Sequence, residues 1–392
     1  MLYIVLMFTS GIFETPFRWI GKTILGFNYD FDISGFGSGD HTYAYITLFV
    51  NVILAIILTL VWTILGRNRK EYNKPLYWFL VVLRIFLVAA MLLYGFVKIF
   101  QIQFQPPSFS RLLQPLGEFS PMGLAWTYMG FSKGFGMFAG IMEVLGGVLL
   151  IWRRTATLGA FIVIGVMSQV AMMNLMFDIP VKLFSIHLIL MALVIFMTDI
   201  KRFTAVFFKN KATSAYEFYH PVTSKSYHKI IRHGKNILLP ILLIAGCILG
   251  YLGQINISDV NHRPTLYGIW EAEIFVKNND TLAPLITDSQ RWHYLLIEKK
   301  GIAMAKTMTG NYTRFTTEMD TINGKLKMHD SDIDMKNVDF NFNYTQPTSS
   351  QLQLSGSLNG SFYTIEFKKR PLDEFNLINT GFRWINERPN NQ

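Results

Sequence analysis

Two hydrophobic periods divide the chain. Up to about residue 254 the apolar positions gather into long runs: Ala44–Leu65, Leu76–Phe100, Gly134–Trp152, Ala156–Phe177, Leu183–Thr198 and Asn236–Gly253. Each approaches the roughly 20 residues that cross a bilayer core as a helix. The first 13 residues, MLYIVLMFTSGIF, are apolar but short for a span. They lack a basic start and a small-residue cleavage site, so an abbreviated helix is expected there rather than a cleaved signal peptide. Beyond Gly253 the period falls to two, with Val338, Phe340, Phe342 and Tyr344 alternating with Asp339, Asn341, Asn343 and Thr345. Asn359-Gly360, between Gln351–Leu358 and Ser361–Phe367, predicts a two-residue hairpin turn, and Asn323-Gly324 predicts another. The expected fold is an α-helical membrane bundle of six or seven crossings, residues 1–254. An all-β antiparallel barrel or sandwich of seven or eight strands, residues 255–392, is expected to follow it.

Charge orients the helices. Of the 392 residues 51% are hydrophobic and 16% charged, and the formal net charge is +10. Residues 1–254 carry 21 Lys/Arg against 10 Asp/Glu, and the remainder 15 against 16, so the excess sits on the helical half. One set of loops holds Arg67, Arg69, Lys70, Lys74, Arg153, Arg154 and eight Lys/Arg from Lys201 to Lys235. The alternating set holds Arg18, Lys22, Arg111, Lys133 and Lys182. Fourteen against five assigns the first set to the cytoplasm. The C-terminal domain then falls outside, periplasmic if the bilayer is a bacterial inner membrane. Trp62, Trp78 and Trp152 fall at the cytoplasmic ends and Trp126 at the other, as an aromatic belt would place them. Phe203, Phe207, Phe208 and Phe218 among the basic residues of 201–235 allow that loop to lie on anionic lipid, or to be an ordinary positive-inside loop. Gly21–Asp40 and the proline-rich Gln101–Lys133 read as external segments, the second as a folded cap. No nucleic-acid-binding pattern is present.

Polar residues inside apolar runs carry the chemistry. Glu143 lies at the middle of GFGMFAGIMEVLGGVLLIW, where a carboxylate is costly unless paired or facing a cavity. Gly136, Gly140, Glu143 and Gly147 fall at i, i+4, i+7 and i+11, on one face with a small-xxx-small step for close helix approach. Two roles are open for Glu143: a hydrogen bond pinning two helices, or an acid that exchanges protons. Arg84 shares a stripe with Met91, Gly95 and Lys98 and is the expected counter-charge. Asn174, Asp178 and Lys182 are four apart around Pro180, which predicts a tight external turn with paired charges. His187 follows one turn inside, where a hydrogen-bonded core histidine is commoner than a metal ligand. Glu143 and Arg84 are the candidate catalytic pair, and Tyr94, Lys98, Asn174, Asp178, Lys182 and His187 the candidate ligand-binding set. No HExxH, Walker or Rossmann loop occurs, and with one cysteine, Cys247, thiol exchange by the chain alone is excluded.

Tyr94-Gly95-x-x-Lys98, Gly140-x-x-Glu143-x-x-Gly146-Gly147-x-Leu149-Leu150 and Arg153-Arg154-Thr155 together resemble the DoxX family of small bacterial membrane proteins, over Leu76–Thr198. SPMGLAWTYMGFS (Ser120–Ser132), DIPVKLFSIHL (Asp178–Leu188) and GFRWINERP (Gly381–Pro389) resemble the longer Bacteroidetes-type form with a C-terminal β domain. The resemblance implies a four-helix core and an inner-membrane location. It also implies a link to quinone-reducing membrane redox complexes, with a quinone as the possible cofactor and a membrane or periplasmic protein as partner. Gly268-x-Trp270 is similar to the first-strand signature of lipocalins, with Arg383 a candidate to pack on that Trp. Two functions are therefore expected. One is a non-enzymatic scaffold or carrier of a lipid or other hydrophobic ligand, with the β domain binding it. The alternative is a redox-complex subunit in which Glu143 relays a proton.

Overall fold

The computed structural model describes residues 14–28, 39–214, 219, 221, 224–260, 263–330, 339–358, 360–381 and 385. Expectations about residues 1–13, residues 29–38 of the first loop, Phe218, Val338, Asn359, Arg383 and most of the GFRWINERP stretch lie outside them. The chain forms two compact units, one of Met1–Gln105 with Phe119–Leu252, the other of Pro106–Glu118 with Gly253–Gln392.

The first unit is helical. In chain order it holds α1 (Glu14–Trp19), α2 (Thr42–Leu65) and α3 (Asn73–Ile99). The short α4 (Phe109–Leu112) belongs to the other unit. The helical unit resumes with α5 (Pro121–Phe131), α6 (Lys133–Ile151), α7 (Ala156–Met176), α8 (Lys182–Met197), α9 (Ile200–Phe207) and α10 (Lys225–Val260), of which it includes the part up to Leu252. Among the described residues, five helices are long and apolar enough to cross a membrane: α2, α3, α6, α7 and the 233–257 part of α10. A sixth is added if α8 and α9, bent by 75° at their junction, count as one span. Ser120 and Ser132 start α5 and α6 as N-caps, their hydroxyls accepting from Gly123 N and Phe135 N.

Helices α3, α6, α7 and α8 share one buried cluster that includes Leu87, Met91, Leu150, Val163, Met167, Leu188 and Ile195. Glycines set how closely they meet. A Cβ on Gly140 would stand 2.5 Å from Gly95 O, and one on Gly147 would stand 2.9 Å from the Met91 Cβ. Rising numbers on α6 thus meet falling numbers on α3, so the two helices run antiparallel in near backbone contact. Gly146 faces the other way, toward Val163, and a Cβ on Gly159 would stand 2.8 Å from Leu150 N. Gly136 is in ordinary contact only, so the close step on this face is Gly140 with Gly95 rather than Gly136 with Gly140.

The second unit is a closed antiparallel β-barrel, which decides between the barrel and sandwich alternatives. Its strands are β1 (Gly268–Lys277), β2 (Asp280–Thr281), β3 (Trp292–Lys299), β4 (Ile302–Thr307), β5 (Tyr312–Asp320), β6 (Lys325–Asp330), β7 (Asp339–Thr348), β8 (Gln351–Leu358) and β9 (Ser361–Arg370). Each pairs with its neighbour and β1 closes on β9, with Ile269 opposite Arg370 and Lys277 opposite Tyr363. Strand β2 is a two-residue addition to the end of β1, leaving eight strands in the wall. Leu358 is the partner of Ser361, and Gly360 between them is at φ +80°. The second predicted turn is longer. Asp320 pairs with Lys325, leaving four residues, Thr321–Gly324, between them, and the Asp320 Oδ1 accepts from Ile322 N and Asn323 N. A two-residue turn occurs instead at Asn278-Asn279, both at positive φ.

Side chains fill the barrel: Trp270, Phe275, Trp292, Phe315, Phe340, Phe342, Phe367 and eleven others form one contiguous buried cluster. Trp270 donates from Nε1 to Leu266 O, and Lys369 Nζ lies 5.3 Å from its ring centroid. Arg291, 2% exposed, donates to the carbonyls of Leu282, Trp292, Ala272 and Glu273. Outside the wall, Phe109 packs with Tyr267, Ile269, Tyr294 and Leu296, and Glu298 accepts from Phe109 N. Residues 106–118, read from sequence as part of a continuous external loop in residues 1–254, thus belong to the barrel unit.

Candidate functional site

Glu143 is 2% exposed and its partner is Lys98, with Nζ 2.5 Å from Oε1. Arg84, the expected counter-charge, is engaged elsewhere. Arg84 donates from Nε to Leu150 O at 2.8 Å and from Nη2 to Ile151 O at 2.7 Å. Antiparallel register explains the exchange. With Gly95 against Gly140 and Met91 against Gly147, Arg84 falls level with the last turn of α6, beyond reach of Glu143. Lys98 lies nearer Gly140, and its side chain leans back toward the α3 N-terminus, bringing the ammonium to the carboxylate.

The pair borders a cavity of about 610 Å³ inside the helical unit. Its walls are mostly apolar and aromatic, including Met91, Phe104, Trp126, Phe138, Met167, Phe184 and Leu188, with Tyr94, Lys98, Gln103, Glu143, Asn174 and Ser185 as polar members. Lys98 also lies 5.9 Å from the Tyr94 ring centroid. Asn174, 4% exposed, is satisfied by donating to Val181 O and Ser185 Oγ. Glu143 Oε2 and Gln103 Oε1 are different: both are buried acceptors with no hydrogen-bond partner. An unsatisfied buried acceptor costs about 1–3 kcal/mol. Two of them on one cavity suit an occupant, or water, that carries O–H or N–H donors.

Of the residues expected at the site, Glu143, Lys98, Tyr94 and Asn174 come together on this cavity. Asp178, Lys182, His187 and Arg84 do not line it. Asp178, at φ +50°, holds Lys182 Nζ at 2.9 Å across the expected turn. His187 Nδ1 lies 2.6 Å from Leu183 O, the backbone partner of a core histidine. Sequence reasoning missed Gln103 and Asp40. Gln103 follows the end of α3 in a stretch that read as loop. Asp40 accepts from Lys182 N and Leu183 N, capping α8 from about 140 residues away, which no local pattern announces. Among the described residues no three His, Cys, Asp or Glu side chains are grouped to hold a metal ion.

Fold and site together define a class: a bundle of membrane-length helices with a buried ion pair on an apolar cavity, joined to a closed β-barrel. The chain is 31% identical to the uncharacterized protein YwoB of Bacillus subtilis over an alignment of 151 residues, which covers 36% of this chain and 88% of YwoB. The chain belongs to the same family as YwoB. No family model matches the sequence, and no solved structure matches it.

Proposed function

We propose that this is a multi-pass inner-membrane protein of DoxX type, a non-enzymatic component of a membrane complex. Its helical unit holds a hydrophobic ligand with a hydrogen-bond-donating head in the Lys98–Glu143 cavity. The observation that carries this reading is the meeting, on one apolar cavity of about 610 Å³, of a buried ion pair and two unpartnered acceptors, Glu143 Oε2 and Gln103 Oε1. Cavities of this size and lining suit small apolar ligands fixed by a few polar groups. The aromatic filling of the barrel moves the binding role from the β domain to the helices. Eight antiparallel strands in simple meander order, with Trp270 near the start, support a lipocalin-like ancestry for the barrel without its ligand chamber. The loop charges support a periplasmic barrel and a cytoplasmic, lipid-facing α9, where Phe207 and Phe208 are exposed beside Lys201, Arg202 and Lys209.

A second reading is favoured by one feature, the partnerless Glu143 Oε2 on the cavity wall. In a redox-complex subunit that carboxylate would relay a proton to a quinone bound there as it is reduced, an external protein partner supplying the electrons. The test is the co-purified ligand. Protein extracted in mild detergent should carry a hydrophobic small molecule by mass spectrometry. Glu143→Gln and Gln103→Leu should each lower its occupancy. A quinone in that fraction selects the second reading, and an empty cavity in gently extracted protein refutes both.

A further inference from the structure

On another face of α3 from the one that meets Glu143 lies a second cavity of about 640 Å³, bounded by α3, the end of α6 and α10. Its walls are aliphatic and aromatic, from Val81, Ile85, Leu92 and Phe96 to Leu238, Leu242 and Leu249, with two exceptions, Arg84 and Lys235. Both cations sit at one end. Lys235 Nζ donates to Ile151 O at 3.1 Å, sharing that carbonyl with Arg84. Carbonyls at a helix C-terminus are favourable for cations, yet they bring no formal negative charge. Arg84 also lines an adjoining pocket of about 330 Å³ with Arg153, Arg154 and Arg202. Among the described residues the carboxylate lining it is Asp199, which already receives Thr157 Oγ1 and Arg202 Nη1. Positive charge thus gathers where an apolar groove of lipid-chain character meets a polar pocket, and Val81 and Arg84 line both. The groove is built by close packing: a Cβ on Gly246 would collide with the Phe96 ring and one on Gly250 with the Phe100 ring.

We propose that this groove is a site for one anionic glycerophospholipid, its phosphate held between Arg84 and Lys235 and its acyl chains lying along α3 and α10. Charge complementarity selects the occupant. A zwitterionic lipid would fill the groove equally well but would bring no net charge to the cationic end. The site is separate from the Lys98–Glu143 cavity and stands whether or not that cavity binds a ligand.

The test uses the full chain purified in detergent, titrated with phosphatidylglycerol and with phosphatidylcholine of the same acyl composition in mixed micelles, bound lipid being counted by native mass spectrometry. A cation near anionic lipid contributes roughly fivefold in affinity, so with two cations phosphatidylglycerol should be preferred by about twenty-five-fold and the preference should shrink in high salt. Lys235→Gln should reduce the preference about fivefold, and Arg84→Gln with Lys235→Gln should remove it. Ala89→Phe, which fills the groove and leaves the charges, should weaken both lipids. Equal binding of the two lipids by the wild type overturns the proposal. So does an unchanged preference in Lys235→Gln, which keeps a polar donor and is expected to melt with the wild type even if the double variant does not fold. A stable dimer that excludes both lipids and is broken by Ala89→Phe would also overturn it, assigning the face to a second copy of the chain.

Discussion

Removing the Lys98 ammonium is the most direct perturbation of this structure. Lys98→Met leaves a side chain of similar length but strands the Glu143 carboxylate. Oε2 already lacks a hydrogen-bond partner and Oε1 would lose its ammonium donor, in a side chain 2% exposed. Breaking a buried ion pair from one side costs about 3–5 kcal/mol, because an uncompensated charge stays behind. Glu143→Met strands the Lys98 ammonium, 7% exposed, and should cost a similar amount. Replacing both removes both desolvation costs at once, so the double variant should lie within about 1–2 kcal/mol of the wild type, far from the sum of the singles. At about 2–4 °C per kcal/mol for a unit of this size, each single variant should melt roughly 6–20 °C lower, and the double close to the wild type. The assay is thermal unfolding of detergent-solubilised protein, read as the fraction remaining monodisperse after heating. Additive losses in the double variant would refute the buried pair. Singles that melt like the wild type would show that water or lipid headgroups reach both charges.

Three further outcomes are expected. Phe109→Ala removes a ring 3% exposed from the cluster with Tyr267, Ile269, Tyr294 and Leu296, so the barrel should lose about 3–5 kcal/mol, read as faster proteolysis of β3 and β4; unchanged protection would deny residues 106–118 a place on the barrel. Burial holds the His293 imidazole below its usual range, against the opposing pull of Glu271 at 3.4 Å. The folded barrel therefore favours the neutral ring. That contribution is complete above the ordinary histidine pKa near ~6.5 and is lost as pH falls from there through the lower folded value, so His293→Gln should flatten the pH dependence of barrel melting on the acid side, and an identical profile would contradict this. A reporter fused after Gln392 should be active in the periplasm and one inserted at Thr213 in the cytoplasm; the reverse would overturn the orientation argued from the loop charges.

What the sequence by itself determined was local. Six apolar runs became helices because their length and composition allow little else, and the alternation through Phe340 and Phe342 became a strand with both rings inside the barrel. Glu143 announced itself because a carboxylate at the centre of an apolar helix is costly alone. Helical spacing also put Gly140 on its face, but spacing says only which side a residue is on. Which residue faces it, and at what height, is a property of two helices together. The Gly95–Gly140 contact sets that height, giving Lys98 to Glu143 and sending Arg84 to the carbonyls of Leu150 and Ile151. The same distinction holds elsewhere. Strand alternation is identical in a barrel and a sandwich, and the pairing of β1 with β9 alone decides closure. The Asp40 cap on α8 and the seating of Phe109 on the barrel join positions about 140 and more residues apart, and no periodicity encodes such meetings. They arise because buried backbone donors and exposed rings must find partners once the chain is compact, and only the tertiary structure says which ones they find.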